Sequence, residues 1–169
     1  MWDSFSKYTI LFLMINTLDS LLTFENIYLF ANWGVIPFWL LLILMPSHNI
    51  TKFFSHSIVA PLLLTAAYIV VAQQIILGDN TFEGFKLYLG LDELGKIYSN
   101  ESFRLVFWLH FLAISLFVGA WIARDSERHT IPKIFSASCI AVTYFTGPLG
   151  VMIYWFIRIF YAKKINFNE

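Results

Sequence analysis

Charge is what this chain has least of. Asp, Glu, Lys and Arg make up 13% of its 169 residues, roughly half the share with which a soluble domain covers its surface. The two signs cancel at 11 against 11, so no net field draws the chain to nucleic acid or to an acidic partner. Cysteine is almost missing too. The lone Cys139 cannot close an internal disulfide, and no zinc site or haem attachment motif can be built from it. The four histidines, His48, His56, His110 and His129, have neither HxxxH nor HExxH spacing, and no metal is expected. The chain also lacks a GxSxG elbow, a phosphate loop and a dinucleotide fingerprint, so no cofactor is implied.

What the chain has instead is apolar surface. Hydrophobic residues are 59% and aromatics 19% of it, and the mean hydropathy is +0.69. Four windows carry no Asp, Glu, Lys or Arg: Ile27 to Met45, Ile58 to Leu77, Leu105 to Ala123, and Ile134 to Ile157. The shortest has 19 residues and as a helix reaches about 28 Å, against a hydrocarbon core of about 30 Å. These windows predict an all-α, polytopic membrane bundle of four transmembrane helices.

Tyr8 to Leu18 is too short to span and is followed by Asp19. It reads as an interfacial helix, with a re-entrant piece or a fifth span completed by Leu21 and Leu22 as the other readings. The expected layout is one domain over 1–169: an N-terminal interfacial segment (1–24), the helical bundle (25–161) and a polar tail (162–169). Between the second and third spans, Gly78 to Ser102 alternates apolar residues with seven charges. That pattern predicts short amphipathic helices on the membrane surface, interrupted at Gly90 and Gly95.

Four spans would put Lys7, Lys86, Lys96, Arg104, Arg158, Lys163 and Lys164 on one side, and Lys52, Arg124, Arg128 and Lys133 on the other. The positive-inside rule then favours both termini in the cytoplasm. A bacterial inner membrane is the expected location, or a plastid membrane in a eukaryote.

Two prolines, Pro37 in the first span and Pro148 in the fourth, should kink their helices. The kinks either bend the packing or open a pocket for a ligand. In the third span, 100° per residue puts Phe103, Phe107, His110, Ile114, Phe117 and Trp121 on one side. Ser115 and Gly119 lie nearly opposite, at the small-xxx-small spacing of a close helix contact, and Ala137 and Ala141 repeat that spacing. An ionisable group inside a span is a functional candidate or a histidine bonded to a neighbouring helix, and His110 is such a group. The densest polar run, Arg124-Asp125-Ser126-Glu127-Arg128-His129, follows.

Val35-Ile36-Pro37-Phe38-Trp39-Leu40-Leu41-Leu42-Ile43-Leu44-Met45-Pro46 followed by Thr51-Lys52 resembles the first helix of the abscisic-acid-deficient-four-like proteins, the neoxanthin synthase relatives. Leu91-Asp92-Glu93-Leu94, Trp108-Leu109-His110, Leu116-Phe117-Val118-Gly119, Arg128-His129 and Gly147-Pro148-Leu149-Gly150 resemble later family segments in order, over roughly Phe30 to Phe160. The chain departs from the pattern at Ser115 and Ala120, where the family has an acidic and a basic residue.

The resemblance implies a membrane protein that isomerises an epoxycarotenoid to an allenic alcohol without a redox cofactor. An acid must protonate the epoxide oxygen and a base must remove a proton from carbon. The candidates for those roles are His110, Asp125, His129 and Glu93. Pro37, Trp39, Phe107, Phe117, Trp121 and Pro148 are the candidates to line a polyene. The alternative is a non-catalytic protein that binds pigment or lipid, or that supports assembly of a pigment complex. Membrane lipid and a carotenoid are the expected partners, and the sequence is silent on oligomeric state.

Overall fold

The computed structural model describes residue 17 and residues 20–54, 59–77 and 83–163. Among the described residues the chain is all-helical, with seven α-helices and a short 3-10 turn. They are α1 (Phe24–Leu44), α2 (Asn49–Phe54), α3 (Val59–Leu77), the 3-10 turn Glu83–Tyr88, α4 (Leu91–Ser99), α5 (Glu101–Arg128), α6 (Lys133–Thr146) and α7 (Pro148–Ala162). The N-terminal run Tyr8 to Leu18 and His56 lie outside the description, apart from Thr17.

Local chemistry sets the helix starts. Thr23 caps α1 by accepting from the Asn26 N–H at 3.3 Å, and α1 then runs unbroken through Pro37. Asn100 caps α5, its Oδ1 accepting from the Ser102 N–H at 3.0 Å and the Phe103 N–H at 3.5 Å. Such caps satisfy N–H groups that have no partner in the first turn. α5 has 28 residues, about 42 Å of helix, and forms the centre of the molecule, packing against α1, α3, α4, α6 and α7.

α1 and α5 run in the same direction. Near their starts the Trp108 indole N–H donates to Asn32 Oδ1 at 2.9 Å. Further on, Gly119 faces Trp39 and Leu42, and at the far end Lys52 lies 3.7 Å from Glu127. We call the end with Phe24 and Glu101 the near end. Between them is a core of Val35, Trp39, Leu42, Val71, Leu109, Leu116 and Ile122. Among the described residues two helices, α1 and α5, are long and apolar enough to cross a membrane, while the apolar helices over 61–77 and 148–162 are shorter.

The expected fourth span, Ile134 to Ile157, is not one helix. Gly147 adopts φ +59° and ψ −90°, in the half of conformational space that side chains disfavour. Pro148, at the first position of α7, cannot donate back to α6. The chain therefore reverses where a kink was expected, and α7 folds back along α6 as an antiparallel hairpin. Phe135 near its base faces Tyr161, ring centroids 6.3 Å apart.

Buried Ser136, Cys139, Ile140 and Thr143 on α6 and buried Gly150, Tyr154 and Arg158 on α7 form helical stripes, and Gly150 lies directly on the backbone of α6. The hairpin tip, Gly147, meets Phe111 and Ser115 near the middle of α5. The tail and the long loop were expected on one side, but the reversal puts Lys163 at the far end, opposite Lys86 and Lys96.

A second correction concerns the loop before α5. Gly90, at φ +142°, separates the 3-10 turn from α4, but α4 continues through Gly95. Tyr88, Leu89 and Leu91 project from this segment, while Ile97 packs inward. That is the pattern of an amphipathic surface helix.

Candidate functional site

The last turn of α5 and the middle of α7 each present two polar residues at i, i+4 spacing, Asp125 with His129 and Tyr154 with Arg158. This spacing puts both members of a pair on one helix face, and docking of the hairpin turns the two faces together. Asp125 Oδ2 accepts from the Tyr154 hydroxyl at 2.7 Å and from Arg158 Nε at 2.7 Å. Asp125 Oδ1 lies 3.6 Å from His129 Nε2, and Arg158 Nη2 lies 3.1 Å from the same nitrogen. A guanidinium only donates, so in this contact Arg158 Nη2 is the donor and His129 Nε2 the acceptor.

The cluster is deeply set. The side chain of Arg158 is 3% exposed and that of Asp125 8%, whereas His129 keeps 21%. Arg158 also lies over the Trp155 ring, 5.0 Å from its centroid, and the Trp121 ring packs edge-on against Tyr154 at 5.5 Å. A buried ion pair recovers its desolvation cost only when its remaining donors and acceptors are filled. Tyr154, His129 and the Trp155 face do much of that filling, so carboxylate, phenol, imidazole and guanidinium hold one geometry.

Of the acid and base candidates from the sequence, the fold brings Asp125 and His129 together. His110 stands 15 residues before Asp125, about 22 Å along the helix. It is exposed on the outer face of α5, and its ring centroid is 6.3 Å from that of Tyr68. Glu93 is on α4, where it accepts a hydrogen bond from Lys96. That contact holds its carboxyl below the usual carboxylate range.

The candidate ligand-lining residues also separate. Phe117 is half exposed, as are Pro37 and Pro148 at the surface, and Phe107 stacks on Tyr98 with centroids 4.6 Å apart. Trp121 touches the polar cluster. Trp39 is buried against Gly119 and Tyr144, with its indole N–H unpartnered among the described residues. Among the described residues, Phe107, Phe117 and Trp121 thus have separate surroundings: Phe107 lies against Tyr98, Phe117 is exposed and Trp121 packs on Tyr154. The opposite face of α5, with buried Ser115 and Gly119, makes the packing contacts the spacing predicted.

Tyr154 and Arg158 were not among the sequence candidates. Arg158 is the one charged residue between Lys133 and Lys163. A cation inside so long an apolar run requires a carboxylate partner, and that signal could have found it.

The fold and cluster describe a helical protein with membrane-length apolar helices and a polar site at the base of a helical hairpin. The profile of the ABA DEFICIENT 4-like (ABA4-like) family matches residues 26–154, and the chain belongs to that family. The match takes in Asp125, His129 and Tyr154. No curated protein and no solved structure matches the chain.

Proposed function

We propose that this chain is an integral membrane protein that isomerises an epoxycarotenoid by acid–base epoxide opening at the Asp125–His129 cluster. The observation that carries this reading is the cluster itself, in which the Asp125 carboxylate and the His129 imidazole stand 3.6 Å apart. The His129 Nδ1–H donates its proton to the epoxide oxygen as the C–O bond breaks. Asp125 Oδ1 takes the proton from the neighbouring carbon, whose electrons form the new double bond of the allene. Asp125 then passes its proton to solvent, and His129, whose side chain is 21% exposed, regains one at Nδ1, so both groups return to their starting states. A proton leaves carbon and one arrives at oxygen, so neither oxidant nor reductant is consumed. Arg158 and Tyr154 act as positioning residues that fix the Asp125 carboxylate.

His129→Gln tests this reading. It should abolish conversion of added epoxycarotenoid while melting temperature and expression stay at wild-type levels, and His110→Gln should retain conversion. The opposite pattern would remove the cluster from the mechanism.

A second reading, pigment or lipid binding without chemistry, is favoured by Ser115 and Ala120. Both are buried where the family resemblance implies an acid and a base. Under that reading pigment copurifies with the protein and is recovered unchanged.

The hairpin also bears on orientation. Among the described residues Lys52, Arg124, Arg128, Lys133, Arg158 and Lys163 belong to the far end, six against Lys86, Lys96 and Arg104 at the near end. By the positive-inside rule the far end, with the Asp125 cluster, faces the cytoplasm. This reverses the orientation expected for the start of the chain. A green fluorescent protein fused after Glu169 should fluoresce in whole cells, and a dark, membrane-inserted fusion would put the near end in the cytoplasm instead.

A further inference from the structure

A second site stands apart from the cluster, at the near end and about 32 Å along α5 from Asp125. The first turns of α1 and α5 and the side of α4 border an open cavity of about 650 Å³. Its walls are aromatic: Phe24, Tyr28, Tyr98, Phe107, Trp108 and Phe111. The rings support one another, Tyr98 stacking on Phe107 and Trp108 on Phe111 with centroids 4.6 and 5.5 Å apart. The Trp108 indole is fixed by its bond to Asn32.

Three charged side chains also line this cavity, Glu25, Glu101 and Arg104. None has an ion pair or side-chain hydrogen bond among the described residues. The two carboxylates have a structural reason to be there, because each lies in the first turn of its helix, where negative charge is favoured. Arg104 does not. A cation in the first turn of α5 opposes the helix dipole and, with neither carboxylate bonded to it, offsets nothing within the fold. Its guanidinium presents a fork of donors suited to a phosphate. Aromatic faces backed by carboxylates are in turn the surroundings that attract an organic ammonium.

We infer that this pocket binds the headgroup of a zwitterionic phospholipid from the surrounding bilayer, with Arg104 on the phosphate and the aromatic wall with Glu25 and Glu101 around the ammonium. The charge pattern matches that ligand on both sides. An anionic lipid lacks the cation that two carboxylates would attract. The exposed apolar residues Tyr88, Leu89 and Leu91 beside α4 put the mouth at the level where lipid headgroups lie. This inference does not depend on the chemistry assigned to Asp125 and His129.

The test uses the full chain in detergent micelles, with native mass spectrometry counting retained phosphatidylcholine, phosphatidylethanolamine or phosphatidylglycerol. The wild type should hold one phosphatidylcholine or phosphatidylethanolamine in preference to phosphatidylglycerol. Arg104→Gln should weaken that binding about tenfold, the loss of one charge-assisted contact. Glu25→Gln with Glu101→Gln should shift the preference toward phosphatidylglycerol. Equal retention of phosphatidylglycerol by the wild type, or unchanged binding by a folded Arg104→Gln variant, would overturn the proposal. So would competition by soluble glycerophosphocholine as strong as that by the lipid, which would assign the pocket to a free solute.

Discussion

Arg158→Met isolates the contact that latches the hairpin to α5. Methionine keeps most of the length and apolar bulk of arginine, so the packing against Trp155 is largely preserved, but the charge and the donor fork are lost. Asp125, 8% exposed, would keep only the Tyr154 hydroxyl on Oδ2 and would be left a buried carboxylate without a cation. Removing one partner of a buried pair costs about 3–5 kcal/mol. For a chain of this length each kcal/mol moves the melting temperature by about 2–4 °C, so the variant should melt about 10 °C below wild type in detergent.

The double variant Asp125→Leu with Arg158→Met removes both charges together. It should recover most of that loss, giving a coupling of about 2 kcal/mol or more in a double-mutant cycle. Arg158→Lys should fall between, since an ammonium cannot present the rigid fork that reaches both Asp125 and His129. A shift of less than about 1 kcal/mol for Arg158→Met, or additive single and double variants, would mean that apolar packing alone holds the hairpin.

Gly150→Ala should destabilise by about 1–3 kcal/mol, because its Cβ would come within 2.5 Å of the Thr143 nitrogen and 2.6 Å of the Cys139 carbonyl oxygen. Gly34→Ala, with nothing within 4 Å, should be neutral or stabilising by roughly 0.5–1 kcal/mol, and equal melting temperatures for the two variants would contradict the close hairpin contact. Lys96→Gln should let Glu93 titrate nearer the ordinary value of 4.5, as followed by NMR of its side-chain carboxyl. Because the folded-state value of Glu93 is depressed, the stabilisation from its pairing is present above the ordinary value and is lost as pH falls through the lowered one. Identical titration in wild type and variant would show that Lys96 does not act on it.

The all-helical class was legible because charge-free windows and helical spacing are local properties. The near-end surface helix was legible for the same reason, since its alternating charges and apolar residues sit within nine positions. Half of the polar site could be read in this way. Asp125 and His129 are four residues apart in the densest polar run, whereas Tyr154 and Arg158 reach them across a separation of about 30 positions that no local pattern encodes.

The hairpin was illegible for a different reason. A 24-residue apolar run satisfies the length of one span and equally the length of two short helices, and hydropathy is blind to a reversal. What decides between them is backbone geometry at one residue. Gly147 can take a positive φ, Pro148 refuses the backward hydrogen bond, and Gly150 lets α7 lie on the backbone of α6, so Gly147-Pro148-Leu149-Gly150 specifies a turn where a kink was expected. Arg158 agrees, because in a single continuous helix its charge would lie at the end opposite Asp125.

His110 is set apart from the Asp125 cluster by the same helical arithmetic that made it attractive. Ser115 and Gly119 are the face that other helices can approach closely, and the aromatic face nearly opposite them is therefore the outward one. The angle that grouped His110 with Phe117 already set it away from the packed interior.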